Sequence, residues 1–233
     1  MTTDASGHTS PAAVLASAVA EMKPRLRGWL HAYAAMTSIV TGAVMISVAA
    51  AVRGGAAGTT TAIYCATITL LFGTSALYHR RSWSPRAHVV MKRLDHSMIF
   101  VFIAGTYTPL AVLTLPRNSA IAVLVAVWGG ALFGVALQTM WKSVPRWLSA
   151  PCYIALGWVA VFVMPDILHN GGVAAFVLIV AGGVIYTLGG IGYALERPNP
   201  YPGVFGFHEV FHLCTLVAAA CHYVAIWLVL FAA

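Results

Sequence analysis

The sequence predicts an all-α membrane protein, a bundle of seven transmembrane helices with its N-terminus in the cytoplasm and its C-terminus outside. Three observations lead there. The chain is 60% hydrophobic and only 8% charged, with a mean hydropathy of +0.84, whereas soluble domains carry about 25% charged residues. Apolar runs long enough to cross a bilayer follow one another from about Leu30 to the C-terminus. The basic residues between those runs alternate between crowded and sparse loops.

A hydrocarbon core of roughly 30 Å needs about 20 mostly apolar residues per helix, and seven stretches meet that length. The first, 29–52, closes at Gly54-Gly55, and the second, 59–79, stops before Arg80-Arg81. The third, 94–115, ends at Pro116, and the fourth, 119–140, ends ahead of Pro145. Gly171-Gly172 separates the fifth, 148–168, from the sixth, 172–194. The seventh, 206–231, follows the Pro-rich segment Arg197-Pro198-Asn199-Pro200-Tyr201-Pro202-Gly203. The runs are too long and too unalternating for strands. Short connections imply antiparallel neighbours, and frequent small residues suit close helix packing in lipid. The membrane domain therefore covers residues 25–233, and residues 1–24 are expected to be a mobile cytoplasmic tail without the basic start of a signal peptide.

Orientation comes from the basic side chains. One side receives Lys23, Arg25, Arg27, Arg80, Arg81, Arg86, Lys92, Arg93, Lys142, Arg146 and Arg197, while the other receives Arg53 and Arg117. These are all thirteen Lys and Arg residues, and against six Asp and Glu they give the chain its formal charge of +7. The crowded side is the cytoplasm of a multi-pass protein in the cell membrane. In short loops, such residues set topology and meet anionic headgroups, which argues against a nucleic-acid partner. Cys65, Cys152, Cys214 and Cys221 lie inside apolar runs without a C-x-x-C, so they read as small packing residues.

Ionisable groups at membrane depth are costly and therefore mark candidate sites. Helix two ends with Ser75 and His79 four residues apart, helix three opens with Asp95 and His96, and helix seven opens with His208, Glu209 and His212. Residues four apart share a helix face, so His208 and His212 can grip one ion. The topology brings His79 and Asp95 to the same cytoplasmic edge. Three histidines with an open fourth position are the usual catalytic zinc arrangement, and neutral imidazoles suit Zn²⁺. Asp95 is placed to accept from a water on the metal or to orient a histidine. Ser75, one turn deeper than His79, is placed to donate to that water or to a substrate oxygen.

His208-Glu209-x-x-His212 also matches the H-E-x-x-H of zinc proteases. No Asp or Glu follows Glu209, and Thr215 and Ala218 stand where a metzincin needs Gly and His. A protease is therefore disfavoured, and Glu209 reads as a headgroup-level or helix-start acid favoured by the helix dipole. His8, His88 and His169 fall in the tail or loops, and His96 should point about 100° away from Asp95. His31 and His222 read as packing or interhelical hydrogen-bonding residues.

At these positions the chain resembles the hemolysin III family, the bacterial branch of the progestin and adipoQ receptors. The resemblance spans about Arg25 to Val229 and rests on Ser75-x-x-x-His79, Leu94-Asp95-His96, Gly105-Thr106-Tyr107-Thr108-Pro109, and His208-Glu209-x-x-His212 followed by His222. It implies seven helices and a cytoplasmic-side zinc held by His79, His208 and His212, with Asp95 and Ser75 beside the water. It also implies a metal-dependent hydrolase of acyl lipid amides or esters, with membrane lipids as partners and lipid homeostasis as the setting. The alternative it leaves is a lipid-state sensor or pore former in which zinc is a structural clamp.

Overall fold

In a computed structural model, residues 26–141, 144–201 and 203–232 are described. The expected N-terminal tail lies outside them. The chain forms α1 (Trp29–Arg53), α2 (Gly55–Arg80), α3 (Pro85–Thr114), α4 (Arg117–Met140), α5 (Arg146–Gly157), a 3₁₀ turn (Trp158–Val163), α6 (Met164–Leu195) and α7 (Phe207–Phe231). Among the described residues the β pairing is a single bridge between Tyr201 and Phe205. The described part of the chain is therefore all-helical.

Six stretches are long and apolar enough to cross a membrane, the run Arg146–Leu195 counting as one of 50 residues. That run doubles back. The Arg146 guanidinium meets the Glu196 carboxylate, the Ile154 side chain lies beside Gly190, and Trp158 Nε1 donates to Thr187 Oγ1 at 2.9 Å. Each pair is centred on Gly171-Gly172. The reversal occurs at Gly172, whose φ of 82° and ψ of 164° interrupt α6. A side chain is strained in that conformation, and glycine is not.

α3 starts nine residues earlier than hydropathy implies. Ser84 Oγ accepts from Ala87 N at 3.4 Å and Pro85 takes the first helical position, both ordinary helix-start devices. Arg86, Lys92 and Arg93 thus ride on a helix rather than in a loop.

Outward faces carry bare apolar side chains such as Val40, Leu132 and Phe162, as lipid contact requires. Inside, Met45, Tyr64, Phe72, Phe100, Ile226 and Leu230 are fully buried. Helices approach closely where one contributes no side chain. A Cβ on Gly105 would lie 2.1 Å from Thr67 Oγ1, and one on Gly134 would lie 2.4 Å from the Phe100 ring. Backbone polar groups must be satisfied within the protein at this depth. At the junction of α5 with the 3₁₀ turn, the Tyr107 hydroxyl donates to Gly157 O and accepts from Ala160 N at 2.7 Å.

α1 and α7 run parallel. At their starts Arg27 Nε donates to Glu209 Oε1 at 2.6 Å, and at their ends Arg53 donates to Ala232 O at 2.7 Å.

Candidate metal centre

The site forms at one end of the bundle, where α2 finishes and α1 and α7 begin. The start of α7 is held from three directions. Asn199 Oδ1 accepts from Phe207 N and Glu209 Oε2 accepts from Gly206 N, both at 2.9 Å, so two amides that the helix cannot satisfy internally find partners. The second Glu209 oxygen takes the Arg27 bond. Glu209 is 1% exposed. It is a helix-start acid, but a buried and ion-paired one rather than a headgroup-level one.

This pinning presents His208 and His212 from successive turns of α7 toward His79 at the end of α2. Ligand atoms of His79, His208 and His212 all lie within 4.8 Å of one another. His208 Nε2 and His79 Nε2 are 3.1 Å apart. The rings of His79 and His212 are 5.0 Å apart, and those of His208 and His212 are 4.5 Å apart. With Zn–N bonds of 2.0–2.1 Å, tetrahedral geometry separates ligand nitrogens by about 3.4 Å. The cluster therefore suits a single ion with small side-chain adjustments, and its three neutral nitrogen donors suit a borderline-soft divalent cation. His79 and His212 are buried and His208 is half-buried.

Asp95, on α3, is buried and places Oδ2 3.9 Å from His79 Nε2. It thus adds an anionic acceptor beside the imidazoles. His96 does not turn away from it, since Nδ1 lies 3.5 Å from Asp95 Oδ2. The same nitrogen donates to Lys92 O at 2.9 Å, and the Tyr193 hydroxyl lies 3.4 Å from Nε2. His96 therefore lies against Asp95, with Tyr193 on the far side of its ring, and the Tyr193 ring also stands 5.7 Å from that of His208. Ser75 is buried, and its Oγ lies 2.8 Å from His31 Nδ1. His31 in turn stacks on His212 with ring centroids 3.9 Å apart and planes 9° apart.

Sequence reasoning brought Ser75, His79, Asp95, His208 and His212 to one depth, and the structure places them together. It missed His31 and the Arg27–Glu209 pair. The readable signal for His31 was its place four residues after Arg27, at the same basic edge as the other groups. His222 lies away from the cluster, with Nε2 donating to Ile179 O at 3.2 Å.

A cavity of about 140 Å³ leads from the cluster into the bundle. Asp95, Ser75, His208 and His212 line its polar end, and Phe102, Leu110 and Ile167 are among the apolar residues deeper in. Its lining on α3 runs from Asp95 to Thr114, about 28 Å at 1.5 Å per residue.

Known proteins match this chain over most of its length. The profile of the family described as Haemolysin-III related matches residues 19–223. "Hemolysin-3" of Bacillus cereus is 30% identical over 194 residues, which is 82% of this chain and 84% of that protein. The human "Monocyte to macrophage differentiation factor" is 26% identical over 174 residues, 71% of this chain and 68% of its own. The "Heptahelical transmembrane protein ADIPOR2" of Oryza sativa subsp. japonica is 33% identical over 158 residues, 61% of this chain and 69% of its own. The chain is a multi-pass protein of the cell membrane, and it belongs to the haemolysin III-related family within the wider progestin and adipoQ receptor group.

Proposed function

We propose that the chain is a zinc-dependent membrane hydrolase acting on the amide or ester bond of an acyl lipid. The observation that carries this reading is an apolar cavity of acyl-chain length whose polar end is lined by Asp95 and by His208 and His212, two of the three clustered imidazoles. His79, His208 and His212 would hold the ion. A divalent ion held there supplies Lewis-acid activation of water and of an acyl carbonyl. The remaining work falls to the chain. The cavity orders the acyl chain and excludes bulk water from the polar end. Asp95 accepts a proton or hydrogen bond there, with His96 beside its carboxylate. Ser75 offers a hydroxyl to the substrate oxygen.

The same reading includes seven crossings with a cytoplasmic N-terminus and an external C-terminus. The parallel course of α1 and α7 supports an odd number of crossings. On this reading the turn at Gly172 divides the 50-residue run into two crossings. The excess of basic residues at the His79 end supports a cytoplasmic location for the site. The membrane domain then starts at about residue 25.

A second reading draws on the direct approach of His79 to His208, which would let an ion clamp α2 to α7 in a non-enzymatic sensor or pore former. Purified protein in mild detergent, loaded with zinc, separates the two when presented with acyl-lipid amides and esters. The hydrolase reading expects free fatty acid that vanishes with chelator and with Asp95→Asn. Stoichiometric zinc without fatty-acid release across the panel would overturn it in favour of the clamp.

A further inference from the structure

His31 is the third residue of α1, and its ring sits inside the bundle at 3% exposure. Three observations distinguish it from a packing histidine. Its ring lies flat on that of His212, with centroids 3.9 Å apart and planes 9° apart. Its Nδ1 shares a hydrogen bond of 2.8 Å with Ser75 Oγ. Its Nε2 is buried without a hydrogen-bond partner among the described residues. The Phe72 ring, 4.9 Å away, shows that the surroundings accept an aromatic hydrocarbon. A residue needed only to fill this space would be better as phenylalanine, because a buried unpaired polar atom costs stability and a phenylalanine has none.

From this geometry we infer that His31 is a positioning residue of the metal centre, acting through two other residues. Its ring is the wall that sets the plane of the ligand His212, and its Nδ1 holds the Ser75 hydroxyl in one orientation. The inference rests on the three-histidine reading of the site. It adds α1 to a centre otherwise built from α2, α3 and α7. His212 has no ring freedom to spare if it is to share an ion with His79 and His208, and a flat partner removes one rotation. Groups that orient metal ligands typically contribute about 10–100-fold to affinity when removed. The Ser75 bond has a separate consequence. When His31 Nδ1 is the donor, the Ser75 O–H is free to donate to a ligand oxygen. When Ser75 donates, His31 Nε2 carries the proton and is the unspent donor. In either tautomer the pair presents at least one unspent hydrogen-bonding group beside the cluster.

The test is zinc affinity of the purified full-length protein, measured by competition with a chromophoric chelator, in His31→Ala, His31→Phe and His31→Asn. His31→Ala should bind zinc about 10-fold or more weakly. His31→Phe should recover most of that loss, because it restores the flat wall. His31→Asn can reach Ser75 but has no ring, so it should remain weak. A purely structural role would lower melting temperature without this ranking. If His31→Ala folds poorly, the contrast between Phe and Asn still decides. Equal zinc affinity in all three variants and the parent would overturn the inference. With zinc saturating, fatty-acid release should fall in His31→Phe, and the double variant should fall no further than Ser75→Ala alone, since His31 acts on substrate only through the Ser75 hydroxyl. A parent protein that shows the affinity ranking but releases no fatty acid would sink the hydrolase reading and leave His31 in place. Fatty-acid release from the parent with no affinity ranking would do the reverse.

Discussion

The two ends of the bundle are built from the same apolar helices and share almost nothing else. At one end, α1, α2, α3 and α7 contribute His31, His79, Asp95, His208, Glu209 and His212, all buried or half-buried. At the other, polar contacts close the backbone: Arg53 donates to Ala232 O at 2.7 Å, and Asn170 donates to Thr114 O at 2.7 Å. The second set is what a helical protein needs wherever helices end. The first is far more than helix ends need, and burying that many ionisable groups is unfavourable unless they share partners or an ion. The difference teaches where to look for function.

Substitutions at the two ends should therefore differ in kind, and the metal ligands should show the largest effect. An ion bound only by the folded state adds about 4 kcal/mol at a thousandfold excess over Kd. Melting in detergent with zinc and with chelator should show that gap in the parent and lose it in His79→Ala, His208→Ala or His212→Ala. Glu209→Gln comes next. It breaks the 2.6 Å bond with Arg27, which is itself partly exposed, so a loss of about 1.5–3 kcal/mol is expected with zinc content unchanged by elemental analysis. Zinc lost along with Glu209 would place that carboxylate among the ligands and blur the distinction between pin and site.

Gly172→Ala should cost on the order of 1–2 kcal/mol through its backbone conformation, since a Cβ there meets nothing within 4 Å. Its zinc affinity should match the parent, because the reversal lies at the far end from the cluster. Arg53→Gln, at that same end and exposed, should change stability by less than about 0.5 kcal/mol. A drop of several kcal/mol in its melting curve would show that the far end carries more than backbone closure.

Much of the histidine-rich end was legible in the sequence. His208 and His212 declare a shared helix face by their spacing, and the basic residues Arg80, Arg81 and Arg93 fix the depth of His79 and Asp95. His31 carried only a depth signal, its place four residues after Arg27, and no sign of its two partners, which arrive from α2 and α7, 44 residues away in one case. The Arg27–Glu209 pair spans 182 residues and was equally invisible. The early start of α3 was readable as Ser84-Pro85, but its first turns are charged and a hydropathy reading passes over them. Gly171-Gly172 coincides with a break in helical geometry at Gly172, although α-helical hydrogen bonding runs on across it and α6 extends from Met164 to Leu195.

The central claim is that α2 and α7 jointly hold one ion, and His79 is the residue on which it turns. The direct measurement is zinc per protein, by elemental analysis, in the parent and in His79→Ala purified side by side in mild detergent. One equivalent in the parent and a small fraction of one in the variant is the expected result. A full, tightly bound equivalent in His79→Ala would contradict the account and assign the site to α7 alone.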